Sequence, residues 1–204
     1  MAVTRHVYEE GSTDSSRWSA IKLRTDDVII STPSKCGTTW VQMICALLIF
    51  GTELPGRLTE LSPWVDMRLR PLADLQSRLS AQQHRRFLKT HTPLDGLPTL
   101  DGVTYIVAGR DPRDVAVSMD RHRANLDNSV IAARMPPNSE QRPAPQPGSS
   151  SAPITQRERI LNWINDDAPP SRRLSSLRGM AWHLSGVPGN AAPSPTWCCC
   201  TMPI

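Results

Sequence analysis

Apolar positions along the chain fall into short blocks, and the blocks alternate between two kinds of pattern. Val28-Ile29-Ile30 is a continuous apolar run that stops at Pro33, Ser34 and Gly37, which predicts a short buried strand over 27–32 followed by a tight turn. From Thr38 to Phe50 almost every position is apolar, Trp40, Val41, Ile44, Leu47 and Leu48 among them, which predicts a helix buried nearly all round. The stretch 71–83 has a mixed helical pattern, and 86–90 and 104–108 read as two further strands. Gly109 to Pro112 turns out of the last of these, with Asp111 placed to cap a helix that begins at Pro112 and runs to about Asn125. Residues 155–164 read as one more helix, with Trp163 on its apolar face. Strands alternating with helices predict an α/β fold, a parallel sheet with helices on both faces.

Composition narrows the picture. The 204 residues suffice for one domain with a core, and 39% of them are hydrophobic. Nineteen prolines and only 5% aromatics point to an ordered body with a loose segment, and residues 136–153, rich in Pro, Ser and Gln, are expected to be a mobile loop. A net charge of +4 is too small to argue for nucleic acid but suits a small anionic ligand. Cysteines stand at 36, 45, 198, 199 and 200, with no C-x-x-C pair, so neither a metal site nor a disulfide framework is expected; the reduced cytoplasm is the simplest setting. The polar first twenty residues are not a signal peptide, and Met43 to Phe50 is too short to span a bilayer, so no integral membrane association is expected.

Three stretches carry candidate chemistry. The first, Pro33 to Trp40, links a strand to a helix start, where converging backbone N–H groups and the helix dipole favour an anion. Lys35 adds a charge, Gly37 permits close backbone approach, and Thr38 and Thr39 add hydroxyls. It is not a Walker A loop, because the lysine precedes the glycine; an ordinary threonine-capped turn is the plainer reading. The second, Lys89-Thr90-His91-Thr92-Pro93, ends a strand, where ligands bind in parallel sheets. A histidine there can take a proton from a hydroxyl, although a lone histidine is more often structural. His84 and His122 lack such a setting and read as surface or structural. The third runs from Arg110 to Ser118, with Arg110 suited to bidentate phosphate contact and Ser118 two helical turns on; Arg113 reads as a solvated charge.

These stretches, in this order and each after a strand, resemble the three signature elements of the cytosolic-type sulfotransferase family, over roughly residues 18–182. Lys35-Cys36-Gly37-Thr38-Thr39-Trp40 is similar to that family's 5'-phosphosulfate loop, with Ser34 where members usually have Pro before the Lys. Lys89-Thr90-His91 is similar to its catalytic element, and Arg110 and Ser118 match its 3'-phosphate element. The resemblance implies a P-loop-like fold and transfer of a sulfuryl group from 3'-phosphoadenylyl sulfate to a hydroxyl of a small-molecule or lipid acceptor, without a metal. It implies His91 as general base, Lys35 and Lys89 as stabilisers of the developing charge, and Lys35, Cys36, Gly37, Thr38, Thr39, Trp40, Arg110 and Ser118 as binders of the nucleotide. It says nothing of oligomeric state.

The chain departs from that family after Leu184. The expected further strand and closing basic loop are not recognisable, so the fold is expected to be incomplete at its C-terminus. Shifting the reading frame across 196–203 permits codons for Asn-Val-Val-Leu-Leu-His-Tyr-Ala-Asp, a good buried strand. Residues 1–185 therefore read as a partial domain and 186–204 as an aberrant tail after a frameshift; a divergent but genuine tail is the other reading. On the first, the alternative function is a truncated pseudoenzyme with weak or no nucleotide binding.

Overall fold

The computed structural model describes residues 5–125, 155–186 and 196–201, the last as backbone. The loop expected over 136–153 and most of the tail lie outside these residues. The chain opens with a small antiparallel hairpin, β1 (Glu9–Glu10) and β2 (Thr13–Asp14), turned at Gly11 with φ 55°. A 3-10 helix, Ser15–Ala20, follows and buries Trp18. Then come β3 (Val28–Ser31), α1 (Thr38–Phe50), the short α2 (Leu58–Leu61), α3 (Leu72–Ala81), β4 (Phe87–Thr90), β5 (Thr104–Gly109) and α4 (Pro112–Ala124). Past the undescribed segment lie α5 (Gln156–Ile164), α6 (Leu177–Ser185) and β6 (Thr196–Thr201).

The main sheet has the order β4-β3-β5-β6 and is parallel throughout. Its inner strands are buried on both faces, as a continuous apolar run requires. Val28, Ile30 and Ala108 pack with Val41, Cys45 and Ala46 of α1, while Ile29, Leu88, Tyr105 and Val107 pack with Leu75 and Leu79 of α3 on the opposite face. A third cluster joins Val115 and Met119 of α4 to Trp163 of α5 and Met180 of α6. Local chemistry sets the ends of these helices. Asp111 accepts from the Arg113 N–H at the start of α4, with Pro112 in its first turn, and Thr155 forms a reciprocal capping box with Glu158 at the start of α5.

Two expectations change. Helix α1 is not buried all round: Val41, Cys45 and Ala46 face the sheet, but Trp40 is 71% exposed and Leu48 81%, with Ile44 and Leu47 beside them. Uniform apolarity hides which side of a helix meets the sheet. Second, Thr196–Thr201, assigned no element from the sequence, lies as strand β6 beside β5, in register from Thr104↔Thr196 to Gly109↔Thr201. β-branched and cysteine residues tolerate extended backbone, and β5 offers an open edge for pairing.

The two ends of the strands differ. At the N-terminal end the buried pair Asp27 and Arg86 is closed on itself: Arg86 Nε donates to Asp27 Oδ1 at 2.8 Å, and the Arg24 N–H donates to Oδ2 at 2.8 Å. At the C-terminal end the chain opens into a cavity of about 600 Å³.

Candidate active site

The cavity lies where the turns leave β3, β4 and β5. Lys35, Thr38, Thr39, Lys89, His91 and Arg110 all line it, so three stretches separated by up to seventy-five positions in sequence meet in one place. Gly37, Trp40 and Ser118 line it as well. Cys36 is the exception among the expected binders. Its side chain is fully buried against Val115 and Met119, its N–H donates to Pro33 O at 3.2 Å, and burial pushes its thiol up to about 11. It anchors the loop from behind.

The turn after β3 is shaped by backbone conformation. Lys35 is in the left-handed region at φ 67°, the one non-glycine residue so placed among the described residues, and Gly37 follows at φ 85°. Such a conformation at lysine costs on the order of 1 kcal/mol and persists where surrounding contacts enforce it. Gly37 caps α1 with no side-chain hydrogen bond, so the first N–H groups of the helix are left for a ligand at its positive end. The Thr38 and Thr32 hydroxyls, 2.6 Å apart, tie the helix start to the end of β3.

His91 is oriented by the backbone. Its Nδ1 lies 2.7 Å from Thr32 O, which can only accept, so Nδ1 carries the proton and Nε2 is left as the ring's acceptor. Burial and the neighbouring Lys89 push its pKa down to about 3, so the ring is neutral at physiological pH. Behind it, Ser31 Oγ donates to Thr92 O at 2.7 Å, so His183 Nε2 must donate to Ser31 Oγ at 2.9 Å.

Several residues that the sequence did not single out complete the walls. Trp64 stands edge-on to the His91 ring at 4.8 Å, and Lys89 Nζ sits 4.1 Å from the Trp64 ring centroid. Asp66, next but one in sequence, is 2% exposed and reaches the same loop. The hairpin turn Gly11–Thr13 and Ser175 close another side, held together by Glu10, whose Oε2 accepts the N–H groups of Leu174 and Ser175 at 2.8 and 3.0 Å. None of these has a motif; only the Pro63-Trp64-Val65-Asp66 run, an aromatic and an acid in a polar stretch, could have drawn notice. His122, read as surface or structural, is exposed; one turn beyond Ser118 on α4, it also lines the cavity. Burial and then Lys35 and Lys89 hold its pKa below the usual histidine value. His84 instead packs edge-on against Phe50, and Arg113 is exposed and paired with Asp111 at 2.6 Å.

The arrangement puts a turn with uncapped helix N–H groups, fixed cations and a neutral histidine with a free acceptor nitrogen around one cavity. That is what transfer of an anionic group to a hydroxyl needs. Among the described residues, no helix is long and apolar enough to cross a membrane.

Comparison with known proteins agrees with this layout. The family model for the sulfotransferase domain matches residues 25–169, which include all three cavity-lining turns. The chain is 44% identical over 186 residues to a glycolipid sulfotransferase of Mycobacterium bovis, covering 86% of this chain and 56% of that protein. It is 43% identical over 182 residues to a glycolipid sulfotransferase of Mycobacterium tuberculosis, again with 86% and 56% coverage. The chain thus spans about half the length of the curated relatives it matches. Among solved structures, mouse sulfotransferase SULT7A1 complexed with PAP superposes over 92% of this chain and 55% of its own, with TM-score 0.53 at 15% identity, a likeness of fold alone. With the family model spanning most of the chain and its turns meeting in one cavity, this protein belongs to the sulfotransferase family.

Proposed function

We propose that this chain carries the donor site and the general base of an enzyme that transfers a sulfuryl group from 3'-phosphoadenylyl sulfate to an acceptor hydroxyl. The observation that carries the reading is His91, whose ring proton is committed to Thr32 O while Nε2 stays free among cations of the same cavity. The residues present suit a bisphosphate nucleotide. The uncapped first turn of α1, with Lys35 and Thr39, would hold a 5'-phosphate, and Arg110 and Ser118, which line the same cavity, a 3'-phosphate. Bound there, the co-substrate supplies the sulfuryl group.

The chain's own residues then act on protons and charge. His91 Nε2 accepts the acceptor's hydroxyl proton, and the Thr32 carbonyl stabilises the imidazolium that results. Burial lowers the pKa of Lys89, and Lys35 lowers it further, while Asp66 opposes both. Lys35 and Lys89 offset the negative charge that grows on oxygen during transfer. The fall in His91 basicity caused by Lys89 and Lys35 is relieved when anions neutralise those lysines, so the base gains strength once the site is loaded. The glycolipid sulfotransferases among the relatives favour a lipid-linked sugar hydroxyl as acceptor.

A thermal-shift titration with adenosine 3',5'-bisphosphate, with adenosine 5'-monophosphate as control, tests the donor site. At a hundredfold excess over its dissociation constant the bisphosphate is expected to stabilise the fold by about 2.7 kcal/mol. His91→Ala should keep this shift yet lose roughly 10²–10⁴-fold in transfer rate. A variant that loses binding and turnover together would remove the base assignment.

A further inference from the structure

The Pro63–Asp66 segment runs beside β4 without belonging to the named strands. Val65 N donates to Lys89 O and Lys89 N donates to Pro63 O, both at 3.1 Å, so the segment is fixed against the strand that carries Lys89 and His91. Asp66 then turns inward. Its Oδ2 accepts from Thr90 Oγ1 and Thr92 Oγ1, both at 2.9 Å, and from the His91 N–H at 3.4 Å. Thr90 Oγ1 accepts in turn from the Thr92 N–H at 2.9 Å. One oxygen of one carboxylate therefore holds all three residues of the turn that presents His91. The other oxygen, Oδ1, is buried without a hydrogen-bond partner.

That bare oxygen is the informative feature. If Oδ1 were protonated, its O–H would be a buried donor with nothing to accept it, which is unfavourable. If it is ionised, a cation must lie within reach, because an uncompensated buried carboxylate is costlier still. Two cations act on it through space, from beyond ion-pair distance: Arg17 of the N-terminal 3-10 helix, whose guanidinium already donates to Val65 O and Arg70 O at 2.9 Å, and Lys89, whose backbone is paired with Pro63 and Val65 beside it. Lys89 needs the same partner. It is half-buried and faces Lys35 from the turn after β3, His91 from the turn after its own strand and His122 from α4, and none of these offers a negative charge. Among the described residues, Asp66 is the one acid bearing on it.

We infer that Asp66 is a positioning residue of the sulfuryl-transfer site, with two tasks: it fixes the Thr90–Thr92 turn that aims His91, and it is the counter-charge that keeps the half-buried Lys89 protonated. The purpose of this device rests on the function proposed above; its existence does not. Burial pushes the Asp66 carboxyl up and the Lys89 amine down, and each group's charge favours the charged form of the other.

The sequence makes a direct test possible, because the chain has three lysines, Lys22, Lys35 and Lys89, and Lys22 is exposed. Competitive amine labelling of the full chain against pH, read peptide by peptide by mass spectrometry, gives the Lys89 midpoint with Lys22 as internal reference. Asp66→Asn keeps an acceptor oxygen for the two threonines but removes the charge, and the Lys89 midpoint is expected to fall by about one pH unit. Thr92→Val removes one hydrogen bond and keeps the charge, so the midpoint should hold. An unmoved Lys89 in folded Asp66→Asn overturns the inference. Should that variant fail to fold, Lys89→Met asks the same question in reverse: the Asp66 carboxyl, followed by its carbon-13 shift, must then titrate about one unit higher, and an unchanged titration overturns the inference equally. Neither readout uses nucleotide or acceptor. A chain that binds no adenosine 3',5'-bisphosphate would thus sink the proposed function and leave the Asp66–Lys89 coupling standing. In the working enzyme, the alkaline limb of kcat/KM should move to lower pH in Asp66→Asn.

Discussion

The same strands carry two different polar ends. At the N-terminal end, Asp27 and Arg86 are buried and matched charge for charge, with Arg24 N and Lys22 O taking up the remaining valences. At the C-terminal end, Lys35, Lys89 and Arg110 share one cavity with few acids: Asp114 lies 3.6 Å from Arg110, and Asp66 bears on Lys89. A closed pair contributes order and asks nothing of solvent. A cluster left short of negative charge is costly until an anion arrives, which is the electrostatic form of a binding site. Buried polarity alone does not mark function; uncompensated polarity with an open side does.

The comparison can be broken most sharply at the closed end. Asp27→Ala strands a guanidinium that is 3% exposed, and should cost about 3–5 kcal/mol in denaturant unfolding. A loss well under 1 kcal/mol would mean that water reaches Arg86 and that this end is not closed. At the open end, acid is the lever. Burial depresses the pKa of His91 to about 3 and of His183 to about 4. The unfolded chain, with histidines near 6.5, then binds more protons than the native one as pH falls below that value. Their contribution to stability is complete above about 6.5 and is lost progressively toward 3–4, with Asp66, whose carboxyl is raised, working in the opposite sense. The unfolding midpoint should therefore drop on mild acidification, and His183→Gln should flatten that slope. The smallest effect separates two arginines of one helix start. Arg110→Met is expected to weaken bisphosphate binding about tenfold by calorimetry, while Arg113→Ala, exposed and outside the cavity, should leave both binding and melting unchanged.

Much of this layout could be read from residues alone, for identifiable reasons. The apolar run at Val28–Ile30, the Asp111-Pro112 start of α4 and the Thr155 cap of α5 are local signals, and the structure places those elements within a residue or two of the expected bounds. The three site turns were legible because each joins a strand end to charged or hydroxyl side chains in a short window. Trp64, Asp66 and the Gly11 hairpin were not, because they act through contacts with residues far away in sequence: Asp66 with Thr90 and Thr92, Glu10 with Leu174 and Ser175. That the exposed His122 also lines the cavity was not legible, since nothing local distinguishes the cavity-facing side of α4. Helix α6 went unread, although Ser176 caps it by accepting from the Gly179 N–H and Leu177, Met180 and Leu184 recur at helical spacing.

The parallel order β4-β3-β5-β6 has a consequence in time. Strand β3 pairs with β4 across some sixty residues of chain and with β5 across more, and no hairpin within the main sheet can form ahead of the rest. Such non-local pairing makes for slow folding, since the loops must close before the contacts reward them. The cavity, drawn from the ends of β3, β4 and β5 together, does not exist in any partly assembled sheet. A nucleotide added during refolding should consequently leave the folding rate alone and slow only unfolding, acting as a latch on the finished molecule and not as a template for it.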